Sequence, residues 1–189
     1  MKTETKTEST VLYVLRIALT LLIIAGVVAA VLAGVNSITK PIIDRLTAEK
    51  TQKAIEAVLE GGYHTEITDY TDETGLVSKV YQGDNGYALE VKPVGFDSAI
   101  TMMVGIDNEG KVLGISIVDH SETAGLGAVA AASTSKGEAF RSQFVGTSGS
   151  VGTAKRGTGT LDAITGATIT SEAVCTGVNA ALACVANLG

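Results

Sequence analysis

The sequence predicts an α+β protein: a single N-terminal transmembrane helix, then an antiparallel-sheet domain with flanking helices. Three observations predict it. Residues 17–35 are aliphatic or small and carry no charge. Between residues 77 and 119, β-branched runs alternate with turn residues at period two. From Val174 to Leu188, apolar residues (Val174, Val178, Ala181, Leu182, Val185, Leu188) recur at spacings of three and four.

The 189 residues suit one domain plus an appendage. Met1 to Ser9 is polar and threonine-rich, so residues 1–10 are expected to form a disordered tail. The uncharged run that follows would span roughly 28 Å as a helix, close to the hydrocarbon thickness of a bilayer. Ala29, Ala30 and Ala33 resemble a signal-peptide cleavage site, but the apolar core is long for one. An uncleaved anchor over residues 11–36 is the better reading. Lys2, Lys6 and Arg16 on one side balance Lys40, Arg45 and Lys50 on the other, so charge alone does not orient it.

Pro41 suits the first turn of a second helix over residues 37–61, stopped by Gly61-Gly62. This helix leads into the folded domain, residues 62–189, or serves as a connector that packs on partner subunits. Within the domain, Val77–Gln82 and Tyr87–Val94 flank Gly83-Asp-Asn-Gly86, and Ile100–Ile106 and Lys111–Asp119 flank Asp107-Asn-Glu-Gly110. Two consecutive hairpins argue for an antiparallel sheet with at least one buried face. Residues 128–145 read as loop and helix, with Phe140 and Phe144 as a packing pair.

The net charge is −6, and only two acidic residues, Glu4 and Glu8, precede the apolar run. The acidic excess therefore lies on the domain, which excludes the basic footprint that nucleic acid requires. Cys175 and Cys184 sit about 13.5 Å apart along the last helix, too far for a disulfide, and read as core residues. With only His64 and His120 besides, no metal site is assembled. The Gly/Ser/Thr-rich stretch 146–159 does not match a phosphate loop. Its Lys155-Arg156 pair is a solvated surface pair or a screen for a nearby phosphate.

Chemistry concentrates in Asp162-Ala-Ile-Thr-Gly-Ala-Thr-Ile-Thr-Ser171. Thr165, Thr168, Thr170 and Ser171 surround Gly166 just ahead of the last helix. Thr170 or Ser171 is the expected N-cap, with Glu172 in the first turn. A helix start favours an anion, although most such clusters are only caps. A second segment, His120-Ser-Glu-Thr-Ala-Gly-Leu-Gly127, follows the fourth strand. Its small residues permit close approach of a ligand, or make a plain turn.

Asp-x-x-Thr-Gly-Ala-Thr resembles the flavinylation motif of the FMN-binding domain family. The resemblance implies covalent FMN, esterified through its phosphate to Thr168. It further implies that Asp162 positions the turn and that Gly166 and Ala167 leave room for the phosphate. Thr165, Thr170 and Ser171 become hydrogen-bonding candidates. Glu122, Thr123, Gly125, Leu126 and Gly127 are similar to a Glu-Thr-Pro-Gly-Leu-Gly turn in the family, with Ala124 in place of Pro. The layout is most similar to G subunits of Rnf electron-transport complexes and, less closely, to the longer C subunits of sodium-pumping NADH:quinone oxidoreductases. Implied with it are electron relay between ferredoxin and NAD within an ion-pumping complex, other membrane subunits and the lipid bilayer as partners, and a flavin transferase during maturation. The soluble domain would lie on the periplasmic or extracellular side of the cytoplasmic membrane. No general acid, base or nucleophile is needed for electron carriage, and no such constellation occurs.

Overall fold

The computed structural model describes residues 4–61, 64–154, 157 and 159–188, with side chains from Thr10 onward. Lys155 and Arg156 lie outside the described residues, as do Met1 to Thr3 at the head of the expected tail. The chain divides into two compact units, residues 1–48 and Glu49–Gly189.

The first unit is helical. Helix α1 runs without interruption from Glu4 to Val58 and includes Pro41. Two expectations are corrected here: the tail is helical from Glu4 onward, and no second helix begins at Pro41. Proline removes one backbone N–H, the partner of the Ser37 carbonyl, and the aliphatic residues on either side keep the helical pattern through that single loss. Leu, Ile and Val side chains from Val11 to Leu46 are exposed all around α1. This helix is long and apolar enough to cross a membrane.

The second unit is built on a five-stranded antiparallel meander, ordered β1-β2-β3-β4-β5. The strands are Thr65–Ile67, Val77–Gly83, Gly86–Val91, Thr101–Asp107 and Val112–Asp119. The two expected hairpins are present. The first is tighter than its sequence suggests, because Gly83 pairs with Gly86 and leaves Asp84-Asn85 as the loop. Gly86 has φ 152°, and a Cβ there would fall 2.1 Å from the Ile106 carbonyl oxygen. β3 stops at Val91, short of the expected Val94, because Pro93 cannot donate to a ladder. β1 is too short to show a period in sequence.

Alternation divides the sheet into two faces. Leu89, Val91, Met102, Val104 and Ile106 face the main core. Helix α2 (Ser135–Ser142) and helix α3 (Thr168–Ala186) contribute Phe140, Val174, Cys175, Val178 and Ala181 to it. Phe140 and Phe144 meet edge to face at 5.4 Å. On the opposite face, Ala54, Ile55, Val58 and Leu59 at the end of α1 pack on Ala88 and Met103. Gly105 makes room there: a Cβ would fall 2.1 Å from the Val58 carbonyl oxygen. The loop before α3 is stitched to it by Asn179, whose side chain accepts from Val151 N at 2.8 Å and donates to Val151 O at 2.9 Å.

Candidate functional site

Two turns of the same construction meet at one end of the sheet. In the first, Leu126 N donates to Thr123 O at 3.1 Å, and Gly125 in third position has φ 75°. In the second, Ala167 N donates to Ile164 O at 3.0 Å, and Gly166 in third position has φ 79°. A positive φ at that position favours glycine, so both sequences place Gly where the turn requires it. Ala124 occupies the second position of the first turn, where proline is favoured but not required, and the turn closes without it. The two turns touch: a Cβ on Gly166 would lie 3.0 Å from Leu126 Cδ2.

α3 starts directly from the second turn. Its first residue is Thr168, and Ala167 is the N-cap, with no side-chain cap. This corrects the expectation of a Thr170 or Ser171 cap with Glu172 in the first turn. The two hydroxyls are buried within the helix and serve other bonds. Ser171 Oγ donates to Ala167 O at 2.9 Å and accepts from Ile164 N at 3.0 Å, bracing the glycine turn. Thr170 donates to Glu122 Oε2. Glu172 accepts from Thr153 instead of serving the helix start. As a result, Thr168, not Thr170, stands at the first position of α3, where the positive dipole end lies.

Glu122 is the hub, only 7% exposed. Its Oε1 accepts from Phe96 N at 2.8 Å and Asp97 N at 3.3 Å, its Oε2 from Thr170. Its own N–H donates to His120 Nδ1 at 3.2 Å. Two glycines leave space for the carboxylate. A Cβ on Gly95 would sit 2.3 Å from Oε1, and one on Gly127 2.5 Å from Oε2.

Glu122, Thr123, Leu126, Gly127, Gly166, Ala167, Thr168 and Thr170 all line one pocket of about 300 Å³, together with Phe96 and Ile169. Most of the sequence-predicted site is thereby brought together. Gly125, Asp162 and Thr165 instead line an adjoining pocket with Lys136 and Gln143. Asp162 is held there by Gln143, whose Oε1 accepts from Asp162 N at 2.7 Å and whose Nε2 donates to Asp162 O at 3.2 Å. Sequence reasoning missed Phe96, Ile169 and Gln143. Phe96 and Ile169 carry no polar chemistry, and the only signal was the Pro93-Val-Gly-Phe96 break between two strands.

The lining contains a single ionisable group, Glu122, beside hydroxyls and apolar side chains. Such a wall fits a ligand with a flat apolar body, and the α3 start fits an anionic tail. FMN has both parts, so the residues present fit it. Among the described residues no Lys or Arg lines the pocket, so there a phosphate at the α3 start would draw its compensation from the helix dipole and hydroxyls. Among the described residues, no group of three or more His, Cys, Asp or Glu side chains could hold a metal.

Comparison with known proteins agrees. The family model for an FMN-binding domain matches residues 95–183, which contain both turns. The G subunit of the Na(+)-translocating ferredoxin:NAD(+) oxidoreductase complex of Acetobacterium woodii is 30% identical, over 100% of this chain and 99% of its own. The G subunit of an ion-translocating oxidoreductase complex of Methanosarcina acetivorans is 29% identical, covering 88% of this chain and 92% of its own. In Clostridium ljungdahlii, the G subunit of a proton-translocating ferredoxin:NAD(+) oxidoreductase complex is 39% identical over 51% of each chain.

Proposed function

This chain belongs to the G-subunit family of ion-translocating oxidoreductase complexes of the Rnf type, and on that premise we propose that it holds FMN through a phosphoester on Thr168 and relays electrons inside such a complex. It is a redox subunit that is not catalytic alone. The observation that carries the proposal is convergence: two family-like segments, far apart in sequence, line one pocket with Thr168 at the first position of α3.

When bound, the flavin supplies reversible electron acceptance. The chain supplies place. The α3 start and neighbouring hydroxyls hold the phosphate, Gly166 and Ala167 admit it, and Glu122 locks the loop 93–97 and α3 together. A threonine hydroxyl is too weak an acid to attack unaided, so attachment requires a flavin transferase acting once, in maturation. A covalent carrier then needs no tight non-covalent affinity. We also assign α1 as a single membrane anchor in contact with lipid. The folded domain would stand outside the cytoplasm, beside the other membrane subunits. The clasp of Gln143 on the backbone N–H and carbonyl of Asp162 supports a positional role for that end of the motif.

Intact mass after denaturation, on protein co-expressed with a flavin transferase, tests the proposal. The expected result is an added mass of FMN less water on the wild type and none on Thr168→Ala. An unmodified wild type, with a transferase active on a control substrate, would reduce Thr168 to an ordinary first residue of a helix.

A further inference from the structure

The loop between β3 and β4 carries an aromatic residue that the proposed function leaves without a task. The chain has three phenylalanines. Phe140 and Phe144 are buried in the core, whereas Phe96 is 65% exposed at the mouth of the pocket. Leu126 (43%) and Ile169 (49%) line the same pocket and are among the few large apolar side chains exposed in the folded unit. Leaving such groups in water forgoes the stabilisation that burial brings, and a cluster of them marks a binding surface.

Phe96 is also held in place. Gly95 N donates to Ser98 O and Ile100 N to Pro93 O, both at 2.8 Å, and Val94 bridges to Ala99. The tip of this tight loop rests on Glu122, which takes the N–H groups of both Phe96 and Asp97. Through its other oxygen the same carboxylate holds Thr170, two residues beyond Thr168. One buried carboxylate therefore fixes the aromatic residue relative to the attachment point.

We infer that Phe96 is the aromatic surface against which the isoalloxazine ring of the bound flavin packs, with Glu122 as the positioning residue that holds it there. The inference rests on the flavin reading above and adds the ring subsite to it. A planar, polarisable ring gains most from an aromatic face and aliphatic walls, which Phe96, Leu126 and Ile169 provide.

The test uses the full chain in detergent, co-expressed with a flavin transferase. Tryptophan in contact with an excited flavin quenches its emission by electron transfer, and this chain has no tryptophan of its own. Flavin fluorescence lifetime is measured on wild type, Phe96→Trp and Val145→Trp, the last an exposed site outside the pocket lining. A several-fold shortening in Phe96→Trp alone is expected. Adding Glu122→Ala to Phe96→Trp should restore part of the lifetime, and adding Glu122→Gln, which keeps an acceptor oxygen, should restore less. If Phe96→Trp fails to fold, Phe96→Tyr decides, since tyrosine quenches by the same route. An unchanged lifetime in a folded, flavin-loaded variant overturns the inference and leaves Phe96 as a contact for a protein partner. A wild type without flavin is recognised by mass before any light is measured, and it overturns the parent reading together with this one.

Discussion

Helices α1 and α3 are both long and apolar enough to cross a membrane, with mean hydropathy of 2.7 and 1.4 in their most apolar windows. Their fates differ: none of that window is buried in α1, and 67% is in α3. The difference lies in side-chain size and polar partners. α1 carries Leu, Ile and Val on all sides. α3 is mostly Ala, Gly, Cys, Thr and Val, small enough to lie close on the sheet. A Cβ at Gly177 would fall 3.0 Å from both Met102 Sδ and Pro93 Cγ. α3 also holds Thr170, Glu172 and Asn179 in bonds to other segments. Hydropathy describes what a helix is made of. Size and polar partners decide whether a sheet can cover it.

Cutting the chain after Ala48 would break the comparison most completely. If α1 up to that residue is only an anchor, the shortened protein should leave the membrane fraction entirely and keep the thermal midpoint of the full chain. Unfolding of the shortened domain would show that α1 belongs to its core. The end of α1 is another matter, since Val58 is pressed on the sheet. Gly105→Ala, with its Cβ directed at the Val58 carbonyl, should cost about 3 kcal/mol in denaturant unfolding. A smaller contrast sharpens the same point. Val178→Ala, at a fully buried position of α3, should cost about 2 kcal/mol, and Val28→Ala, at an exposed position of α1, should stay within about 0.5 kcal/mol. Equal effects would mean that the two helices are buried alike.

The same contrast explains what could be read in advance. Side-chain character along one element made the long apolar helix, four of the five strands and α3 legible. The start of α3 was misplaced because a Thr/Ser cluster looks like a cap from sequence. Thr170 and Ser171 in fact turn inward, toward Glu122 and toward Ile164 and Ala167. Those partners are tertiary, and spacing cannot reveal them. Pro41 was misread for a related reason: proline marks a helix start only when the preceding residues do not already propagate a helix. The two family-like motifs were legible as segments, and the fold brings Glu122, Thr123, Leu126, Gly127, Gly166, Ala167, Thr168 and Thr170 from them to one pocket. Phe96 was not, since an exposed aromatic in a loop has no meaning until Glu122 is seen to hold it.

The smallest expected effect tests how dry the environment of α3 is. Burial pushes the Cys175 thiol from an ordinary 9.0 up to about 12, with the Glu172 carboxylate adding to the shift. Cys184 is raised as well, first by burial and then by Asp72. For an acid whose folded pKa is raised, the unfolded chain loses its proton first. The stability linked to Cys175 is therefore fully present below about pH 9 and drains away as pH rises toward about 12. Thermal midpoints of the domain should fall through that window, and Cys175→Ala should flatten the fall despite a lower midpoint near neutrality. Alkylation follows the same logic, because the thiolate is the nucleophile. Iodoacetamide at mildly alkaline pH should leave the native thiols unmodified and label both after denaturation. Rapid labelling of Cys175 in the native protein would mean that α3 opens far more readily than its packing against the sheet implies.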